Sequence, residues 1–287
     1  MTKLRRLDEA IAEHVPDGSS VVMGAALEAL VPFAAGYELV RQKRRELTLI
    51  APISDMLFDV LIGAGVARRV IASWVGNVSA GSGYNFRRAL EERIPAPLEM
   101  VDHSNLTIAL ALHAAALGVT YLPTRSTLGT DLLANNPHLV ETVCPFTGDK
   151  LVAVEALSPD VAVLSVQRAD EEGNAHAWGN LGVTFDAARA SKRVIVLADE
   201  IVSEEAIRAD PARTIIPGFL VAAVVHAPRG CHPAPCQDFY GRDHAFFQDY
   251  HDRSRTRDGF LEWLDRFVIS VSSLEDYVER VRSRERL

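Results

Sequence analysis

The chain has 287 residues, 48% apolar, 24% charged and 7% aromatic, which excludes collagen-like, low-complexity and disordered polymers and is ample for a core without disulfides or metal. Thirty Lys and Arg against 38 Asp and Glu leave a formal charge of −8, the wrong sign for a protein whose main partner is nucleic acid. Three Cys without regular spacing, an N-terminus with no signal-like apolar run, and no stretch near the roughly 20 apolar residues of a bilayer span predict a soluble cytoplasmic protein with no membrane partner.

Helical periodicity in residues 2–15 stops at Pro16-Asp17-Gly18, and SSVVMG then reads as a short buried strand. Pro32 opens a helix through residues 33–45, at a first-turn position where its missing N–H costs nothing, and ELTLIAP follows as a strand. Three more pairs follow: MLFDVLIGAG then ARRVIASWVG, YNFRRALEERI then APLEMVD, and SNLTIALALHAAALG then VTYLP. In the last of these, Ser104 is placed as N-cap and Gly118 as C-cap. Alternating helices and strands predict an α/β fold with an open, mostly parallel sheet and helices on both faces.

The middle third is less regular. Residues 124–138 read as a loop with a short helical piece, and residues 142–157 as two strands joined by Thr147-Gly148-Asp149. The rhythm resumes with VAVLSV, a helix near FDAARAS, and the strands RVIVLAD and LVAAVVHAP. A polar and aromatic stretch from Gly241 to Arg257 then precedes two C-terminal helices, the first from about residue 258. With no tandem repeat and no linker-like run, residues 1–287 read as a single domain.

In such sheets ligands bind beyond the carboxyl ends of the strands, so the residues just after each strand are the site candidates. The small-residue loop from Gly24 and Ala25 through Glu28 to Pro32 can bring backbone N–H groups to a ligand; it lacks a dinucleotide fingerprint, and a plain strand-to-helix turn is the alternative. Asn77, Ser79, Gly81 and Ser82 lie in a glycine-rich strand end able to present amides to an anion. Asp102, His103 and Ser104 crowd one turn, where capping accounts for them better than a catalytic triad. Arg125 and Ser126 follow a strand, where a guanidinium can grip a carboxylate. Residues 167–174 read as an exposed acidic turn. Cys231, His232 and Cys236 lack a second ligand pair at zinc-finger spacing, so no metal site is predicted.

Together these stretches resemble the α subunit of family I coenzyme A transferases of the glutaconate-transferase-like branch. The resemblance rests on PDGSSVVMGAALEALVP, ELVRQKRRELTLIAP, LIGAGVARRVIASWVGN, LPTRSTLGTDL, QRADEEGNA and APRGCHPAPC with FYGRDHAFFQDY, running from near residue 16 to near residue 251. It implies the three-layer fold of that family and transfer of coenzyme A between an acyl thioester and a free carboxylic acid. The coenzyme A thioester is then a substrate, and no cofactor is permanently bound. The family's nucleophilic Glu lies in a Ser-Glu-Asn-Gly-like motif of the β subunit, absent here, so the resemblance implies a β-subunit partner in a heterodimer or larger αβ assembly. Where the family has a G-G-F-G-type loop, this chain has Gly24-Ala25-Ala26-Leu27-Glu28; no nucleophile is expected in this chain, and Glu28 and Asn105 are the accessory candidates. A related branch of ring-opening thioester hydrolases carries a Glu at the start of one helix; an ungapped count places Asn105 there, and Asn cannot act as a general base. Gly24, Ala25, Asn77, Ser79, Gly81, Ser82, Ser104, Asn105, Arg125 and Ser126 are the substrate-binding candidates. A hydrolase on the same scaffold, or a non-catalytic subunit completing a partner's pocket, are the alternatives.

Overall fold

The computed structural model describes residues 2–284. Its first half runs α1 (Leu7–His14), β1 (Ser20–Met23), α2 (Phe33–Arg41), β2 (Leu47–Ile53), α3 (Met56–Gly63) and β3 (Ala67–Trp74). A small hairpin of β4 (Gly76–Asn77) and β5 (Gly81–Ser82) precedes α4 (Tyr84–Glu91), β6 (Glu99–Asp102) and α5 (Asn105–Leu117). An excursion follows, made of β7 (Tyr121–Thr124), α6 (Asp131–Asn135), β8 (Leu139–Val143) and β9 (Lys150–Glu155). The second half contains β10 (Val161–Ala169), β11 (Ala175–His176), α7 (Thr184–Ala190), β12 (Arg193–Ile201), α8 (Glu204–Ala209), β13 (Thr214–Ile216) and β14 (Val221–His226). The helices α9 (His244–Ser254), α10 (Arg257–Leu264) and α11 (Leu274–Arg284) close the described chain.

Seven strands pair in parallel in the order β14-β12-β10-β1-β2-β3-β6. β11 adds antiparallel to the end of β10, and β13 to β11. The central strands are buried on both faces, and alternate residues feed two cores. Val21, Met23, Leu49, Ala51, Val70 and Val163 pack under α1–α3 and α9–α11. Val22, Ile50, Ile71, Ala162, Leu164 and Val196 pack under α5 and α7. This is the predicted α/β architecture: a mostly parallel sheet between two helical layers.

Both predicted caps of α5 are present. Ser104 Oγ accepts from Thr107 N at 3.0 Å, and Gly118 takes the left-handed conformation, φ 72°. Three expectations differ. Residues 3–5 run beside β14 instead of starting α1, with Val224 N donating to Lys3 O and Arg5 N to Val224 O; this covers a sheet edge that would otherwise be unpaired. VTYLP leaves the parallel sheet and pairs with β9, forming the antiparallel sheet β7-β9-β8. Its Pro123 and half-exposed alternation suit an edge strand better than a doubly buried one. The stretch 244–254, read only as polar and aromatic, is the helix α9. Asp243 caps it by accepting from Phe246 N, and Phe246, Phe247, Tyr250 and Ser254 are buried at helical spacing.

Candidate active site

Strand order reverses direction between β1 and β10, the switch point where open parallel sheets form a crevice. Gly24 ends β1 at φ 77°, and a Cβ there would lie 2.8 Å from Ser54 Cα, so only glycine lets β1 and the end of β2 meet this closely. The loop beyond is pinned by its backbone: Ala25 O accepts from Val183 N at 2.8 Å, and Leu30 N donates to Pro235 O at 3.0 Å. Between this loop and residues 178–180 and 235–241 opens a cleft of about 550 Å³ lined by Ala29, Leu30, Gln167, Trp178, Asn180 and Tyr240, among others.

The cleft's polar floor is ordered. Gln167, fully buried at the end of β10, donates to Trp178 O at 3.0 Å and accepts from Trp178 N at 3.2 Å. The Trp178 indole donates to Asp238 Oδ2 at 2.7 Å. Tyr240 donates to Asp199 Oδ2 at 3.0 Å, and Asp199 Oδ1 accepts from Arg229 N at 2.7 Å. Burial lifts the Asp199 carboxyl above the usual range, opposed by these donors. Contact with Cys231 and burial likewise push up the Cys236 thiol, which makes it a poor nucleophile.

The second predicted loop is the β4–β5 hairpin, beyond the end of β3. Asn77 is buried, donating to Phe247 O at 2.8 Å and accepting from Ser79 N at 3.0 Å. Ser79 Oγ accepts from Arg242 Nε at 2.8 Å and lies 3.3 Å from His244 Nδ1, while Gly81 and Ser82 are exposed. Along the same edge Ser104 is committed to capping α5, and Asn105 is exposed beside the Ser73 hydroxyl that donates to it. Glu28 is exposed on the first loop; the N-cap of α2 is Pro32, with no side-chain cap. Arg125 and Ser126 follow β7 and so belong to the small sheet. Arg125 is exposed and donates to Asp149 of the β8–β9 turn, and Ser126 N donates to Thr124 Oγ1 at 3.1 Å. That excursion returns to the main edge where Asn136 donates to Asp102 O at 2.6 Å.

Sequence reasoning missed Asp55, Asp199, Tyr240 and Arg242. Asp199 follows the apolar run of β12 and Asp55 follows that of β2 directly before α3, and those positions were the available signal. Arg242 lies in FYGRDHAFFQDY, one of the stretches that carry the resemblance, but its polar partners Asp55 and Ser79 lie far away in sequence. Among the described residues no helix is long and apolar enough to cross a membrane, and no group of three or more His, Cys, Asp or Glu residues is placed to hold a metal ion.

Residues 4–227 match the family model for coenzyme A transferase. The chain is 36% identical over 281 residues to the A subunit of 3-oxoadipate CoA-transferase from Pseudomonas knackmussii, covering 98% of this chain and 99% of that protein. It is 32% identical to the A subunit of glutaconate CoA-transferase from Acidaminococcus fermentans, covering 98% of this chain and 92% of the relative. The crystal structure of glutaconate coenzyme A-transferase from the same organism superposes with a TM-score of 0.93 at 31% identity, covering 99% of this chain and 94% of the other. With fold and full-length similarity in agreement, this chain belongs to the coenzyme A transferase family.

Proposed function

We propose that this chain is the α subunit of a two-chain enzyme that moves coenzyme A between an acyl thioester and a free carboxylic acid, with a partner β subunit supplying the nucleophilic glutamate. The observation that carries the reading is the end-to-end similarity to two chains named as A subunits, coupled with how the buried or cleft-lining carboxylates Asp55, Asp199 and Asp238 are already engaged. Asp55 is ion-paired to Arg242, Asp199 accepts from Tyr240 and Arg229 N, and Asp238 accepts from the Trp178 indole. A carboxylate so held is a weak nucleophile, and the attacking group is better supplied from outside the chain.

In the proposed reaction the partner's carboxylate attacks the thioester carbonyl, forming an acyl-glutamyl anhydride and releasing the coenzyme A thiolate. The thiolate then attacks the glutamyl carbonyl, expelling the first acid and leaving a glutamyl thioester. The second acid attacks that thioester, expelling the thiolate and forming a second anhydride; the thiolate then attacks its acyl carbonyl, giving the new acyl thioester and releasing the free glutamate. Each tetrahedral intermediate carries an oxyanion, and donors of the first two loops, around Gly24–Ala25 and the exposed Gly81–Ser82, are suited to stabilising it. The acyl groups are dicarboxylic, in keeping with the 3-oxoadipate and glutaconate in the relatives' names. The ring-opening hydrolase branch carries a Glu at the start of the helix corresponding to α5; this chain has Asn105 there, which cannot act as a general base and argues against that chemistry.

The test is to co-express the chain with a neighbouring gene encoding a β-type partner and to incubate the complex with dicarboxylic acyl-CoA donors and acetate or succinate. Appearance of the acceptor's thioester, with donor acid in equal amount, supports the reading; thioester loss without acceptor thioester points to hydrolysis.

A further inference from the structure

Three successive residues of the β4–β5 hairpin are tied to distant parts of the chain. Asn77 donates to Phe247 O on α9. Val78 N donates to Asp55 Oδ1 at 3.0 Å. Ser79 Oγ accepts from Arg242 Nε, and the same guanidinium places Nη2 2.5 Å from Asp55 Oδ2. The Arg242 head also lies 3.8 Å over the Phe247 ring. Asp55 is therefore a hub: it caps α3 by accepting from Met56 N at 2.9 Å, holds Val78 directly, and reaches Ser79 through Arg242.

Two features separate this network from ordinary packing. Asp55 has φ 52° and ψ −148°, a region that non-glycine residues rarely occupy, and such strain persists where surrounding contacts over-determine it and clusters at functional sites. Its side chain is fully buried and that of Arg242 only 12% exposed, and buried ion pairs are weak contributors to stability whose attested use is to fix geometry. What is fixed here is one side of the hairpin, whose other side, Gly81 and Ser82, is exposed at the carboxyl edge of the sheet.

We propose that Arg242 is a positioning residue of the site, acting through Asp55 and Ser79 to hold the Gly76–Ser82 hairpin where it meets the acyl-CoA substrate. The arrangement requires arginine. A guanidinium lets Nε donate to Ser79 while Nη2 of the same rigid plane ion-pairs with Asp55, whereas a lysine ammonium placed on Asp55 would leave Ser79 unheld. The catalytic part of this proposal rests on the transferase reading above; the structural part does not.

The experiment is Arg242→Lys, which keeps the charge beside Asp55, read in two ways. Hydrogen exchange of the full chain is expected to show amides 76–82 exchanging about tenfold faster while the central strands are unchanged. In the complex with the β partner, kcat/KM for acyl-CoA is expected to fall about tenfold or more at nearly unchanged Tm, since small misplacements of a site are costly. Unchanged exchange overturns the proposal, as does faster exchange with unaltered transfer. If the wild-type complex transfers nothing, the transferase reading fails, and calorimetric acyl-CoA affinity then decides: weaker binding by the lysine variant supports positioning, and equal or absent binding overturns it. If Arg242→Lys does not fold, Ser79→Ala removes only the far end of the link and is expected to give the same faster exchange, its absence overturning the proposal. Where both variants fold, the double variant is expected to match Arg242→Lys alone; multiplied effects would show that the two residues act separately.

Discussion

The Ser73 hydroxyl at the end of β3 sits between Pro52 O, 2.5 Å away, and Asn105 Oδ1 at the first turn of α5. This joins the ends of two neighbouring units of the fold and fixes the orientation of an exposed amide at the carboxyl edge. With Asn105 proposed as a substrate-binding residue, Asn105→Ala is expected to change stability by less than about 1 kcal/mol while lowering kcat/KM of the two-chain complex by about tenfold, the cost of losing one hydrogen bond. Steady-state kinetics with urea unfolding of the same variant check both halves. Unchanged kinetics would remove Asn105 from the site.

Gly182 has φ 48°, and a Cβ on it would collide with Ala25 O. That carbonyl is the acceptor that pins the first loop through Val183 N. Gly182→Ala cannot be absorbed by a side-chain rotation, because the obstacle is backbone. It is expected to cost more than about 1 kcal/mol in urea unfolding. It is also expected to raise the KM of the complex by displacing residues 24–31.

Glu28 is exposed on that loop and does not cap α2. A solvent-facing carboxylate predicts that Glu28→Gln leaves both the pH–rate profile and the ranking of acyl donors of the complex unaltered. A shift in either would assign it an acid/base or specificity role.

His103 is buried beside Thr107, 3.1 Å from its hydroxyl. Burial, with the nearby His138 adding to it, pushes the imidazole down to about 4 from 6.5. In that interval the unfolded chain takes up a proton that the folded protein refuses. Stability is therefore full above pH 6.5 and is lost as pH falls towards 4, by up to about 3 kcal/mol. Urea midpoints measured across this window are expected to fall for the wild type and to fall less for His103→Gln. Equal slopes would contradict the assignment.

The parallel sheet and most of its helices were legible because buried strands and amphipathic helices write their periods into the sequence. β1, β2, β3, β10 and β12 are short apolar runs bounded by turn residues, and α5 carries both its caps. α9 was hidden by its composition. Its buried face is Phe246, Phe247, Tyr250 and His251, aromatic and polar residues whose burial depends on neighbours from α2 and α10. β7 was misplaced because a four-residue strand does not declare its partner. The candidate loops were found where strands end, but their internal bonds were not. The hairpin that holds Ser79 is anchored by Arg242, 163 residues further along the chain, and no local pattern encodes such a pairing.

The most direct measurement is a titration of the purified chain into a fixed amount of its purified β partner, with acyl-CoA and an acceptor acid present and acceptor thioester followed by chromatography. The proposed division of labour predicts no transfer by either chain alone and activity that rises to a plateau at one chain per β partner. Sustained transfer by this chain without the β partner would contradict it.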